Sequence, residues 1–112
     1  MEAKSGITVI IPAHNEIRWI GKTLRSIRRQ TLHPDAVVVT DDFSSDGTGE
    51  YIKALFPEVV VIRPDRNLGS KARAQNFALF YKRPNGDFLI KNPMVITIDA
   101  DTTLDQTAIE EL

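Results

Sequence analysis

The chain has 112 residues, enough for one small domain with its own core and no more. Its 42% hydrophobic and 26% charged residues exclude a disordered tail or a fibrous repeat. A formal net charge of −1 gives no case for a nucleic-acid partner, and a count of no cysteine excludes a disulfide framework or a thiolate metal site. No apolar run approaches the ~20 residues that cross a bilayer, and the polar start MEAKSG is not a signal peptide. The lack of cysteine fits a reducing compartment, so the expected location is the cytoplasm. No internal repeat divides the chain, and residues 1–112 read as one domain.

The elements alternate between strand and helix. Ile7 to Ile11 (ITVII) is almost wholly apolar and β-branched, the pattern of a strand buried on both faces, and Pro12 ends it. Ile17, Ile20, Leu24 and Ile27 then recur at spacings of three and four, the stripe of an amphipathic helix. Its polar face carries Lys22, Arg25, Arg28 and Arg29, which reads as a solvated face, with weak attraction to an anionic membrane as the second reading. Ala36 to Thr40 is a second buried strand, SSDGT a turn and helix start, and Tyr51 to Phe56 the continuation of that helix. Val59 to Ile62 is a third strand. Ser70 is placed to cap a helix running to about Tyr81, which Pro84, Asn85 and Gly86 break. Met94 to Ile98 is a fourth strand, and Asp105 is placed to cap a last helix. Strands separated by helices imply right-handed crossovers and a parallel sheet, hence an α/β domain.

In such a sheet ligands sit beyond the carboxyl ends of the strands, so the residues there matter most. Those ends read PAHNE, TDDFSSDG, RPDRNLGSKARAQN and DADTT. Polar side chains therefore gather at one edge. Asp99 and Asp101, on an extended chain, would point the same way about 6.5 Å apart. Two carboxylates so close repel unless a cation relieves them. Oxygen ligands select Mg²⁺ or Mn²⁺, which takes its remaining ligands from water and phosphate. The competing explanation is a solvated acidic loop. Asp41 and Asp42 are placed to accept hydrogen bonds from a ribose or a base, while Ser45, Asp46 and Gly47 are ordinary turn chemistry. Lys71 and Arg73 sit in the first turns of a helix, where basic residues oppose the helix dipole; a phosphate would account for them, and Arg73 is favoured of the two. Asn15 and Glu16 are placed to bond a nucleotide or to start the following helix, and His14 reads as a packing or hydrogen-bonding residue.

The segments ITVIIPAHNE, TLRSIRRQT, VVVTDDFSSDGT, NLGSKARAQN and VITIDADTTL, in this order, resemble the N-terminal, nucleotide-binding half of family 2 glycosyltransferases. The ending TIDADTTLDQTAIEEL looks closest to the processive β-glycosyltransferase branch, the cellulose-, chitin- and poly-N-acetylglucosamine-synthase-like enzymes. The resemblance implies a Rossmann-like GT-A half with a mostly parallel four-stranded sheet in the order 3-2-1-4. It also implies a nucleotide-diphosphate sugar donor, UDP by the family's habits, and Mn²⁺ or Mg²⁺ at a DXD motif. Carried over by position, Pro12, Ala13, Asn15 and Glu16 line the nucleotide pocket. Asp42 contacts the base with Asp41 beside it, Arg73 lies in the segment that approaches the donor, Asp99 lies near ribose and metal, and Asp101 ligates the metal. Transfer to an acceptor hydroxyl would invert the anomeric centre, with the catalytic base expected beyond Leu112. His14 and Phe43 depart from the family's usual residues, and GDFLIKNPMVITIDAD is longer than usual between GD and the strand. A fourth strand without outer neighbours would leave Met94–Ile98 open to a second copy, so a homodimer through that edge is expected. Two other classes compete. A nucleotidyltransferase-like enzyme would place a glycine- and basic-rich loop where PAHNE stands. A non-catalytic nucleotide-binding or scaffold module would show no metal-dependent binding.

Overall fold

The computed structural model describes residues 5–112; most of the polar start MEAKSG, residues 1–4, lies outside the described residues. The elements run β1 (Ile7–Ala13), α1 (Ile20–Arg28), β2 (Ala36–Asp41), α2 (Thr48–Leu55), β3 (Val60–Ile62), α3 (Lys71–Leu79) and β4 (Met94–Thr97). The four strands form one parallel sheet in the order β3-β2-β1-β4. Both the α/β class and the strand order expected from the sequence are what the structure has.

The period of two along β1 sorts its side chains between two cores. Ile7, Val9, Ile11 and Ala13 face Ile20, Leu24 and Ile27 of α1 and Ile52 of α2, with Phe56 beyond it. Ile10 and Val38 face the other way, onto Ile62 and Ala78. β1 is buried at every position, as its unbroken apolar run requires. The outer strands are not: Val60 is exposed on β3 and Met94 on β4, because an edge strand has a neighbour on one side only. The apolar runs of all four strands suggest burial, but only β1 is buried throughout and β2 at every position but Ala36. Among the described residues no helix is long and apolar enough to cross a membrane.

Of the three helices, α3 begins on a side-chain cap. The Ser70 side chain accepts from the Arg73 N–H at 3.2 Å, the N-cap bond expected of it. Ile17 precedes α1 rather than lying in it, on a turn where the Glu16 carbonyl accepts from the Trp19 and Ile20 N–H groups. The last helix expected from Asp105 is instead a run of turns. That segment is strapped to α1 and the residues just after it by two buried polar side chains, Ser26 and Gln30. Ser26 Oγ accepts from the Leu104 N–H at 3.0 Å, and Gln30 donates to the Asp105 carbonyl and accepts from the Ile109 N–H. The Gln30 bonds satisfy the Asp105 carbonyl and the Ile109 N–H, which a regular helix would have paired with each other.

Candidate functional site

The carboxyl edges of β1 and β2 and the start of α3 enclose a cavity of about 340 Å³, within the size range of ligand pockets. It is lined by Pro12, Ala13, His14, Glu16, Asp42, Asn67, Gly69, Ser70, Lys71 and Ala74. Each element contributes for a structural reason. Ala13 is buried against the α1 core, while Thr40 donates to the Ala74 carbonyl at 3.2 Å and so ties α3 to β2. The N-terminus of α3, with Ser70 and Lys71, thereby forms one wall, and free first-turn N–H groups suit an anion there.

Asp42 is buried on the cavity wall and holds the opposite loop. Its two carboxylate oxygens accept from the Leu68 N–H at 2.7 Å and the Gly69 N–H at 3.3 Å. His14 hydrogen-bonds the Asp42 carbonyl through Nδ1 at 2.6 Å, and a carbonyl accepts only, so Nδ1 carries the proton. That is the hydrogen-bonding role expected of His14.

Asp41 lies elsewhere. Its carboxylate is buried, pairs with Arg63 at 2.7 Å, accepts from the Ser44 N–H and packs against Gly49, and it does not line the cavity. Arg63, which the sequence did not single out, also donates to the Ser44 carbonyl and stacks on Phe43 with its guanidinium carbon 4.9 Å from the ring centre. Phe43 has a φ of 60°, a left-handed conformation rare for a bulky residue, which this clamp holds in place. The Asn15 side chain accepts from the Ser45 N–H at 2.8 Å, joining the loops after β1 and β2 rather than lining the cavity. Arg73 folds back onto the Leu68 carbonyl at 3.3 Å, so Lys71, not the favoured Arg73, is the basic side chain on the cavity wall.

Asp99 and Asp101 lie at the rim. The strand ends at Thr97, and Asp99 to Thr102 closes a turn through a 3.0 Å bond, so the extended spacing expected for the pair does not apply. What turns both acids outward is Ala100 between them. It is 3% exposed, packs in the α1 core, and its carbonyl accepts from Thr23 at 2.7 Å. Asp99 pairs with Lys71 at 3.2 Å, both side chains being more than half exposed. Glu16 feels the rim directly. Burial raises its pKa, the Asp101 charge adds to that, Lys71 opposes it, and Asp46 and Asp99 add further. Glu16 thus senses both rim carboxylates and Lys71. Among the described residues no three metal-ligating side chains are grouped to hold an ion by themselves. The hard oxygens of Asp99 and Asp101 fit a cation that takes its other ligands from phosphate and water.

A parallel sheet in this order, with a cavity at its carboxyl edge, has the GT-A architecture. The family model "Glycosyl transferase family 2" matches residues 8–112, and the chain belongs to that family. It is 30% identical over 103 residues to a 4,4'-diaponeurosporenoate glycosyltransferase of Staphylococcus haemolyticus, covering 92% of this chain and 26% of that protein. Among solved structures, S. aureus TarS residues 1–349 superimpose with a TM-score of 0.78 at 24% identity, covering 97% of this chain and 31% of that one. A mannosyltransferase from Pyrobaculum calidifontis, solved with GDP-Man and Mn²⁺, gives a TM-score of 0.72 at 27% identity, covering 93% and 30%. TarS has also been solved with UDP and with UDP-GlcNAc. The chain thus spans about a quarter to a third of the length of these relatives.

Proposed function

We infer that this chain is the donor-binding part of a glycosyltransferase, taking a nucleotide-diphosphate sugar, a UDP-sugar by preference, with Mn²⁺ or Mg²⁺. The observation that carries this is the Lys71–Asp99 ion pair, which joins the tip beyond β4 to the cavity wall that Glu16 also lines, with the Asp101 charge within reach of Glu16. Pro12, Ala13 and Asp42 supply walls for the nucleoside, and the start of α3 with Lys71 supplies positive charge for the diphosphate. Asp101 would hold the cation, with Asp99 in support. When bound, such an ion stabilises the charge that builds on the departing diphosphate. Lys71 already neutralises Asp99 without it, and exchanging that ammonium for a metal would free Lys71 for a phosphate oxygen. Attack by an acceptor hydroxyl with inversion needs a general base, and no residue of this chain is assigned that role. Relatives solved with UDP, UDP-GlcNAc and with GDP-Man and Mn²⁺ support the donor class.

Calorimetric titration of UDP and of GDP, with and without Mn²⁺, tests the proposal on the wild type and on Asp101→Ala. Metal-dependent binding that falls at least tenfold in the variant is expected. Equal binding with and without metal, or equal binding by both proteins, would overturn it. The outer edge of β4 carries no strand partner among the described residues, which supports self-association there. A monomer by light scattering at high concentration would count against that.

A further inference from the structure

The outer face of α1 takes no part in the cavity. Arg18, Lys22, Arg25 and Arg29 are exposed and stand at i, i+4, i+7 and i+11, on the turn that leads into α1, along it and at its C-cap. On a helix that spacing forms one straight row, about 16 Å long at 1.5 Å per residue. Among the described residues none of the four has a carboxylate in ion-pair reach, whereas neighbouring Arg28 is paired with Glu58 at 2.7 Å. Trp19 stands beside the row, 45% exposed, with the Arg18 and Lys22 cations 5.6 and 5.9 Å from its ring centre. Leu24 and Ile27 of the opposite face are spent in the core, so the row is held rigidly outward.

We propose that this row, with Trp19, is a docking surface for an anionic phospholipid bilayer. A planar negative surface can meet all four cations at once, and an indole with a polar N–H and an apolar body favours the bilayer interface. A long nucleic acid is disfavoured. The chain carries a formal net charge of −1 despite these four cations, so the remaining surface is acidic and would repel a polyanion that extends past the row.

The chain contains one tryptophan, so its emission reports on this face alone. Phosphatidylcholine vesicles containing phosphatidylglycerol are expected to shift Trp19 emission to the blue and to sediment the protein. Pure phosphatidylcholine should do neither, and added salt should reverse the effect. Arg18→Gln with Lys22→Gln is expected to weaken binding roughly 25-fold, at about fivefold per charge. The control pair Lys82→Gln with Arg83→Gln, exposed elsewhere, is expected to bind as the wild type does. Unmoved Trp19 emission, equal binding to both vesicle types, or an equal loss in the control pair would overturn the proposal. So would a Trp19 response to heparin in the absence of any response to vesicles. Far-UV circular dichroism confirms that each variant is folded.

Discussion

Two strands deliver paired aspartates to the same edge of the sheet, Asp41 and Asp42 from β2 and Asp99 and Asp101 from beyond β4, and their surroundings differ. The first pair is buried, and its oxygens are taken by Arg63, the Ser44 N–H and the N–H groups of Leu68 and Gly69. The second pair is exposed, with a solvent-accessible lysine as the one ion-pair partner among the described residues. The contrast follows from position in the sheet. β2 is flanked by β1 and β3, so its tip is enclosed by loops on both sides; β4 is an edge strand, and its tip opens to solvent. A buried carboxylate bonded through both oxygens holds a fold together. One whose lone pairs are free can take a ligand.

This contrast can be broken by substitution, beginning with the largest effect. Asp41→Ala removes a buried charge from its partner and is expected to cost about 3 kcal/mol in urea denaturation. A loss below 1 kcal/mol would mean that the β2 pair is not structural. Gly49→Ala places a methyl group against the Asp41 carboxylate and should cost about 2 kcal/mol. Because the clash is with that side chain, the cost should shrink in the Asp41→Ala background, and strict additivity in the double mutant would refute the packing described here.

Asp46 tests the sign of a titration. Burial alone would raise its pKa, but hydrogen bonds from the Thr48 hydroxyl and the Ile17 and Thr48 N–H groups outweigh this and hold it below its ordinary 3.8. A lowered folded-state pKa contributes stability above the unfolded value and loses it as pH falls through the folded one. Asp46→Ala is therefore expected to cost about 1 kcal/mol at pH 7 through the lost charged hydrogen bonds, and progressively less as the pH drops below 3.8. A cost that does not change with pH would remove the carboxylate from the explanation. The smallest effect belongs to the rim: Asp101→Ala should change stability by less than about 0.5 kcal/mol. Under the proposed function its consequence is expected in metal-dependent nucleotide binding instead, and a large destabilisation would erase the distinction between the two pairs.

Much of this was open to reading along the chain. The β-branched runs and the three-and-four spacing of Ile20, Leu24 and Ile27 follow from local sterics and solvent avoidance, which act the same way wherever the segment lies. Ser70 was legible as a cap for the same reason. The exposure of β3 and β4 was not legible, since an apolar run does not say whether its strand has one neighbour or two. Ser26 and Gln30 escaped notice because polar helix residues look solvated until a distant segment arrives to bond them. Arg63 escaped for the same reason.

By itself the sequence determined the alternation of strand and helix, the parallel sheet and the gathering of polar residues at its carboxyl edge, because periodicity and turn chemistry are local properties of the chain. Tertiary structure alone decided which of those residues remain free. It spent Asp41, Asn15 and Arg73 on internal bonds, set Lys71 rather than Arg73 on the cavity wall, and turned Asp99 and Asp101 outward by burying Ala100. The physical reason is that a polar group's availability depends on what packs beside it, and for Asp41 and Asn15 those neighbours lie tens of residues away in sequence.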